Sequence, residues 1–295
     1  MEQVGERRGN GYDSGFWEQV FALYQQAFEG LPAGIAQAAS VGAHWEDVTT
    51  PFALLEGGRC LAHVGVISHP MHLGGADPLR VAGIHAVCTA PDRRQQGLSS
   101  RLLAAAVAWA ATDHEVMKLH TDLPAVYERH GFVAVPTWRF RSVVTPTLGI
   151  AKRRLAPSTN AEDASLLQRL LATRAAVSNV CASADDGWMI TIDATLGGML
   201  DDSLWYLPDH DAVVVYGEEE GETLVAEVIA QRLPPAAVVA GASPDPQRAR
   251  RYAFTPDRFE PNAEPFATPA ENGVFMVRGR WPVDQPFGIS PLWEH

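Results

Sequence analysis

The residues best placed for chemistry lie between Val81 and Ser100. An apolar strand pattern (Val81, Ala82, Ile84, Ala86, Val87) runs into Pro91-Asp92. It continues as Arg93-Arg94-Gln95-Gln96-Gly97-Leu98-Ser99-Ser100, where a helix begins. A strand that ends in a polar, glycine-bearing loop and then opens a helix presents free backbone N–H groups and the positive helix end to one point. That is an anion site by construction. Gly97 has no Cβ, so the backbone there can approach a phosphate closely. The same residues also read as an ordinary strand-to-helix turn with surface arginines. Other reactive side chains say less. Cys60, Cys88 and Cys181 are far apart and odd in number, which argues for free thiols rather than a disulfide framework or a zinc site. Cys88 has no obvious basic neighbour to lower its pKa and reads as a packed strand residue. His69-Pro-Met-His72 could be a ligand pair, but no partner cluster follows it. It reads as an exposed strand end, and no metal is expected. The run Glu218-Glu219-Glu220-Gly221-Glu222 could be an acidic substrate patch, although Gly and charge mark a solvated hairpin turn more often.

The elements that would position these residues follow from periodicity. Phe16, Val20, Leu23, Tyr24 and Ala27 recur at helical spacing over Phe16–Phe28, and Ile35–Val41 is a shorter helix. Phe52–Leu55, Arg59–Ser68 and Leu79–Thr89 read as strands punctuated by glycine pairs. Leu98–Ala111 is an Ala- and Leu-rich helix and Val116–Thr121 a strand. Pro124–His130 is a short helix with Pro in its first turn and Gly131 just past its end. Phe132–Val144 returns as extended chain. The basic, polar stretch from Lys152 to Asn160 reads as a linker. Beyond it, Ala161–Val177 and Met189–Leu200 read as helices, and Leu204–Leu207, Ala212–Tyr216 and Thr223–Ala230 as strands. Pro244–Tyr252 reads as a helix and Val274–Arg278 as a last strand. The order helix, helix, strands occurs twice, over residues 14–89 and 161–230, as in a divergent repeat of one fold.

Arg94-Gln95-Gln96-Gly97-Leu98-Ser99 resembles the Arg/Gln-x-x-Gly-x-Gly/Ala pyrophosphate loop of the GNAT superfamily of N-acetyltransferases. Tyr127-Glu128-Arg129-His130-Gly131-Phe132 resembles that family's second signature, a Tyr on a short helix ending in Gly-Phe. Ser99 departs from the usual Gly or Ala. The Tyr signature also looks like that of the "enhanced intracellular survival" acetyltransferases, which have a second GNAT-like half and a third, lipid-carrier-like domain for which this chain has no room. The resemblance implies an α/β fold with a mixed sheet. Residues 1–150 would form a catalytic, acetyl-CoA-binding GNAT domain. Residues 151–295 would form a degenerate GNAT-like domain that walls the substrate cleft. The sheet would splay between the Leu79–Thr89 and Val116–Thr121 strands. Acetyl-CoA, the acyl donor, would lie in the gap. Its pantetheine arm would pair with Val87, Cys88 and Thr89, and its pyrophosphate would sit on the N–H groups of Gln95, Gln96, Gly97, Leu98, Ser99 and Ser100, beside Arg94. The implied reaction is direct acetyl transfer to a primary amine. Strand N–H groups near Val87 can face the oxyanion. Tyr127, mostly protonated at neutral pH, can protonate the leaving thiolate. His85 is a candidate base, with His120 on the next strand or a water chain as alternatives.

Composition sets the outer bounds. At 295 residues the chain has length for about two domains, and 46 % apolar residues suffice for a core. No 18-residue apolar run suggests a membrane span. The polar start, Met1 to Gly11, lacks the pattern of a secretory signal, so the expected compartment is the cytoplasm. The net charge is −12, and residues 151–295 carry 12 basic and 21 acidic residues, net −9. Such a chain disfavours nucleic acid and suits a cationic amine, as a small molecule or a peptide. No membrane partner is expected, and a homo-oligomer is left open. A rival reading is a CoA-binding regulatory or scaffold protein whose catalysis has lapsed; the presence of Tyr127 favours the enzyme. A phosphate-binding nucleotide protein is a second rival, weakened by the absence of a Gly-x-x-x-x-Gly-Lys-Ser/Thr run.

Overall fold

The computed structural model describes residues 14–75, 77–268 and 273–294; the polar start lies outside that range. The first half runs α1 (Ser14–Ala27), α2 (Leu31–Ser40), a one-turn α3 (Trp45–Val48), β1 (Thr49–Glu56), β2 (Arg59–Ser68), β3 (Met71–Leu73), β4 (Val81–Thr89), α4 (Leu98–Ala110), β5 (Val116–Thr121), α5 (Pro124–Glu128) and β6 (Val133–Ala134). The second continues β7 (Trp138–Arg141), β8 (Arg153–Arg154), α6 (Ala161–Thr173), β9 (Cys181–Ser183), α7 (Trp188–Leu196), β10 (Leu204–Leu207), β11 (Ala212–Glu219), β12 (Glu222–Ala230), α8 (Ala236–Ala242), β13 (Arg250–Tyr252), β14 (Glu264–Ala267) and β15 (Val274–Gly279).

The first sheet has the order β1-β2-β4-β5-β15-β6. Helix α4 lays Leu102, Leu103, Ala106, Val107 and Ala110 on one face of it, and all five are buried. Helix α1 closes the other face with Phe16, Trp17, Val20, Leu23 and Tyr24, spaced as an apolar stripe. Strands β4 and β5 are parallel, but they pair only at Val81–Gly83 against Val116–Lys118. Beyond that point they diverge, which opens the sheet where β4 enters its loop. The second sheet, β14-β7-β13-β12-β11-β10-β8, repeats the plan. Its antiparallel β10–β11–β12 leads through α8 to β13, which pairs parallel to β12 only at Thr223–Val225. The molecule is thus α/β, with two mixed sheets of related topology.

The halves exchange strands. Strand β7, from the first half, pairs with β13 in the second sheet. Strand β15, from the second half, pairs with β5 over Thr121 to Val116 and with β6 on its other side. Division of the chain at residue 150 therefore cuts through both sheets. A third contact between the halves is the small β3–β9 ladder.

Several local expectations differ from what is observed. The 152–160 stretch is not a free linker. Arg153 and Arg154 pair with β10 at the edge of the second sheet, and Lys152 Nζ donates to the carbonyls of Ala242 and Ser243 at 3.0 and 2.6 Å. Residues 250–252 are strand rather than helix, and the helix lies earlier, behind Pro234 and Pro235. His69 is buried, not at an exposed strand end, because β3 is covered by β9; its Nε2 lies 3.0 Å from Ser183 Oγ. The acidic run is a hairpin turn, but arginines hold it. Arg251 reaches Glu220 at 2.9 Å and Glu222 at 2.7 Å, and Arg139 reaches Glu219 at 3.2 Å. Among the described residues no helix is long and apolar enough to cross a membrane, and no group of three metal-ligating side chains occurs.

Candidate active site

The divergence of β4 from β5 leaves a cavity of about 470 Å³ lined by Val87, Cys88, Thr89, Arg94, Gln95, Ser99 and Tyr127, with Ala27, Phe28, Leu123 and Val126 at its apolar side. Seven residues singled out in the sequence thus meet around one space. Gln96, Gly97, Leu98 and Ser100 flank it in the loop and the first turn of α4. Gly97 has φ +73°, and a Cβ built there meets nothing within 4 Å. Glycine is favoured at this position by backbone conformation, and the space beside it is open. Gln95 is also left-handed, at φ +62°. The N-cap of α4 carries no side-chain hydrogen bond, so the helix end offers its N–H groups and partial positive charge to whatever fills the loop. Arg93 turns away to Glu56, at 2.6 Å. Arg94 faces the cavity instead and adds a full positive charge.

Tyr127 is set by α5, which Pro124 starts and Gly131 ends. Gly131 has φ +81°, and a Cβ there would come within 3.3 Å of Arg278 Nε. That guanidinium donates to the His130 carbonyl at 3.0 Å, so the exchanged strand β15 buttresses the Tyr127 helix. The Tyr127 ring stands edge-on to Phe132. Burial raises its phenol pKa, and a hydrogen bond with Thr121 opposes the shift, so the hydroxyl keeps its proton at neutral pH. Ser100 Oγ lies 3.2 Å from His130 Nε2 and ties α4 to the end of α5. Cys88 lies at the cavity wall, but burial pushes its thiol well up, which works against a thiolate nucleophile.

The two histidine candidates part company. His85 is buried and its ring packs 4.8 Å from that of Trp45. A Cβ on Gly65 would lie 2.3 Å from His85 Nε2, so a glycine opposite makes room for the ring. His85 does not line the cavity. His120 does not line it either, but it borders a second one of about 410 Å³ with Thr137, Arg139, Phe275 and Glu294. His120 Nε2 lies 3.5 Å from Glu294 Oε1. Thr121 serves Tyr127 and the preceding His120 serves this second cavity, because successive strand residues face opposite ways. Sequence reasoning missed Ala27, Phe28, Leu123, Val126, Thr121 and Glu294. Leu123, 66 % exposed beside the Tyr127 helix, was the one legible signal, an apolar side chain where a turn should be polar.

Residues 11–135 match the acetyltransferase (GNAT) domain family. No curated protein matches the sequence. Among solved structures, a GCN5-related N-acetyltransferase from Kribbella flavida superposes with a TM-score of 0.52 at 17 % identity, over 88 % of this chain and 68 % of that one. Eis1 from Mycobacterium abscessus gives 0.55 at 14 % identity, over 91 % and 72 %. A GCN5-related N-acetyltransferase from Anabaena variabilis gives 0.52 at 11 % identity, over 92 % and 72 %. At such identities the likeness is one of fold, and it spans both sheets. The splayed β4–β5 pair, the left-handed loop into α4 and the Tyr127 helix all lie in the segment, residues 11–135, that matches the GNAT acetyltransferase domain family, and the fold as a whole is similar to that of these two-sheet structures.

Proposed function

We propose that the protein is an N-acetyltransferase that moves the acetyl group of acetyl-CoA directly to a primary amine. The observation that carries this reading is the convergence of Val87, Cys88, Thr89, Arg94, Gln95, Ser99 and Tyr127 on one cavity at the sheet's divergence. The donor set suits a pantetheine pyrophosphate: an uncapped helix end, two left-handed residues and a guanidinium. Acetyl-CoA bound there supplies the activated acetyl thioester. The edge of β4 at Val87–Thr89 holds the extended arm as an added strand would. The amine nitrogen attacks the thioester carbon, and the Val87 N–H donates to the oxygen as it gains charge. When the C–S bond breaks, Tyr127 gives its proton to the sulfur. The products are an N-acetyl amide and free CoA thiol.

His120 and Glu294 border a separate cavity on the other face of β5, so in this reading the amine reaches the thioester through the open side of the acetyl-CoA cavity, past Ala27, Phe28, Leu123 and Val126. The proton that the amine loses passes to water, since neither His85 nor His120 lines the acetyl-CoA cavity. The net −9 of residues 151–295 favours a cationic amine. The second half holds no CoA of its own, since Pro234 and Pro235 before α8 remove N–H donors that a phosphate needs. The three cysteines of the described chain are free thiols, which suits a cytoplasmic protein. The test is release of free thiol from acetyl-CoA over a panel of aminoglycosides, polyamines, small amines and peptides. Turnover with one class supports the enzyme. Tight acetyl-CoA binding with no turnover across the panel supports the lapsed, CoA-binding reading instead.

A further inference from the structure

Strand β4 is not straight where it borders the cavity. Its register against β2 passes from Gly65↔His85 to His63↔Cys88. Ala86 and Val87 therefore stand opposite the single residue Val64, which is a β-bulge. Ala86 has φ +48°, a left-handed conformation that a residue with a Cβ rarely adopts. Such a backbone persists only where its surroundings hold it. The holder is visible. His63 Nδ1 lies 3.1 Å from the Ala86 carbonyl oxygen, and the His63 ring is fully buried. A carbonyl only accepts, so Nδ1 carries the proton of this pair. The buried Tyr24 hydroxyl packs against the same ring, 3.1 Å from Nδ1 and 3.3 Å from Nε2. Burial keeps His63 uncharged, with its pKa pushed down to about 4.

The Ala86 carbonyl and the Val87 N–H belong to one trans peptide plane and point opposite ways. Whatever fixes the first fixes the second. We propose that His63 is a positioning residue: its Nδ1–H holds the Ala86 carbonyl and thereby turns the Val87 N–H toward the thioester carbonyl in the cavity. The inference rests on the acyl-CoA reading of that cavity, and the experiment separates the two.

The probe is acetonyl-CoA, a ketone that cannot be cleaved, labelled with ¹³C at its carbonyl. In the intact protein the bound ketone resonance is expected downfield of the free probe, as for a carbonyl that accepts a hydrogen bond. His63→Gln, whose amide can still donate to Ala86, should keep most of that shift. His63→Leu should bind the probe within about threefold of wild type, but its ketone resonance should return toward the free position. A merely structural role would change affinity or stability and leave the signature in place. A wild-type shift in His63→Leu would overturn the proposal. So would a ¹⁵N spectrum of the unaltered protein with the proton on His63 Nε2, a measurement that needs no variant to fold. Binding of acetonyl-CoA with an unshifted ketone overturns this inference alone. No binding at all overturns the acyl-CoA reading, and this inference with it.

Discussion

Tyr127 is protonated at neutral pH by the ordinary pKa of a phenol, and its burial beside Phe132 raises that pKa further against the opposing hydrogen bond of Thr121. A general acid needs that protonated state. Tyr127→Phe removes the proton and little else. We expect kcat to fall on the order of 10²–10⁴-fold with acetyl-CoA binding retained, read by steady-state kinetics beside calorimetry. Unchanged kcat would mean that the thiolate leaves unaided. The histidines make a paired prediction. His120→Ala should leave the pH profile of kcat/KM alone, because His120 lies outside the acetyl-CoA cavity. His85→Ala should leave that profile alone and cost on the order of 1–3 kcal/mol of stability, since it empties the space between Trp45 and Gly65. Loss of the acid limb in either variant would make that histidine the base.

The loop into α4 was legible in the sequence because each of its features is local. An apolar strand, a basic and amide run, Gly97 and an Ala-rich helix follow one another, and the structure sets Gly97 in the left-handed region at the helix start. Helix α8 was not legible. Its seven residues, Ala236–Ala242, are nearly all apolar and nearly all buried, so no polar face gave it a period, and the prolines before it read as a break. The β4 bulge was also hidden, because Ala86 carries no mark of its left-handed backbone; the clue lies in its partner His63, 23 residues away. This clamp has a pH signature. The folded pKa of His63, about 4, lies below its ordinary 6.5. The folded state therefore binds fewer protons than the unfolded chain between those values. Stability from this site is complete above about pH 6.5 and is lost as pH falls toward about 4. The loss amounts to roughly 3 kcal/mol at 1.36 kcal/mol per pKa unit. In urea unfolding, the difference in stability between wild type and His63→Gln should shrink or invert as pH falls through that window. A constant difference would contradict a buried neutral His63.

The exchange of β7 and β15 escaped the sequence for a different reason. Both strands were visible as extended segments, but nothing within a strand says which distant sheet it will join, and proximity along the chain favours the wrong one. The consequence for the whole molecule is that neither half is a self-sufficient unit. Residues 1–150 lack β15, which lies between β5 and β6, and residues 151–295 lack β7, which lies between β13 and β14. Each fragment alone should melt without a cooperative transition by circular dichroism, and the two mixed should recover one. Cooperative melting of residues 1–150 by themselves would contradict the interlocked architecture. The interlock also joins the halves directly: the second half carries β15 against β5 and brings Glu294 beside His120. The account as a whole stands on one cavity, between β4 and α4, being the single place where acetyl-CoA binds. Calorimetric titration of the intact chain with acetyl-CoA tests this most directly, beside Gly97→Glu, which sets a carboxylate where the pyrophosphate should lie. The account predicts one site per chain and a loss of at least about tenfold in affinity for the folded variant, roughly 1.4 kcal/mol. Two equivalent sites, or unchanged affinity in folded Gly97→Glu, would contradict it.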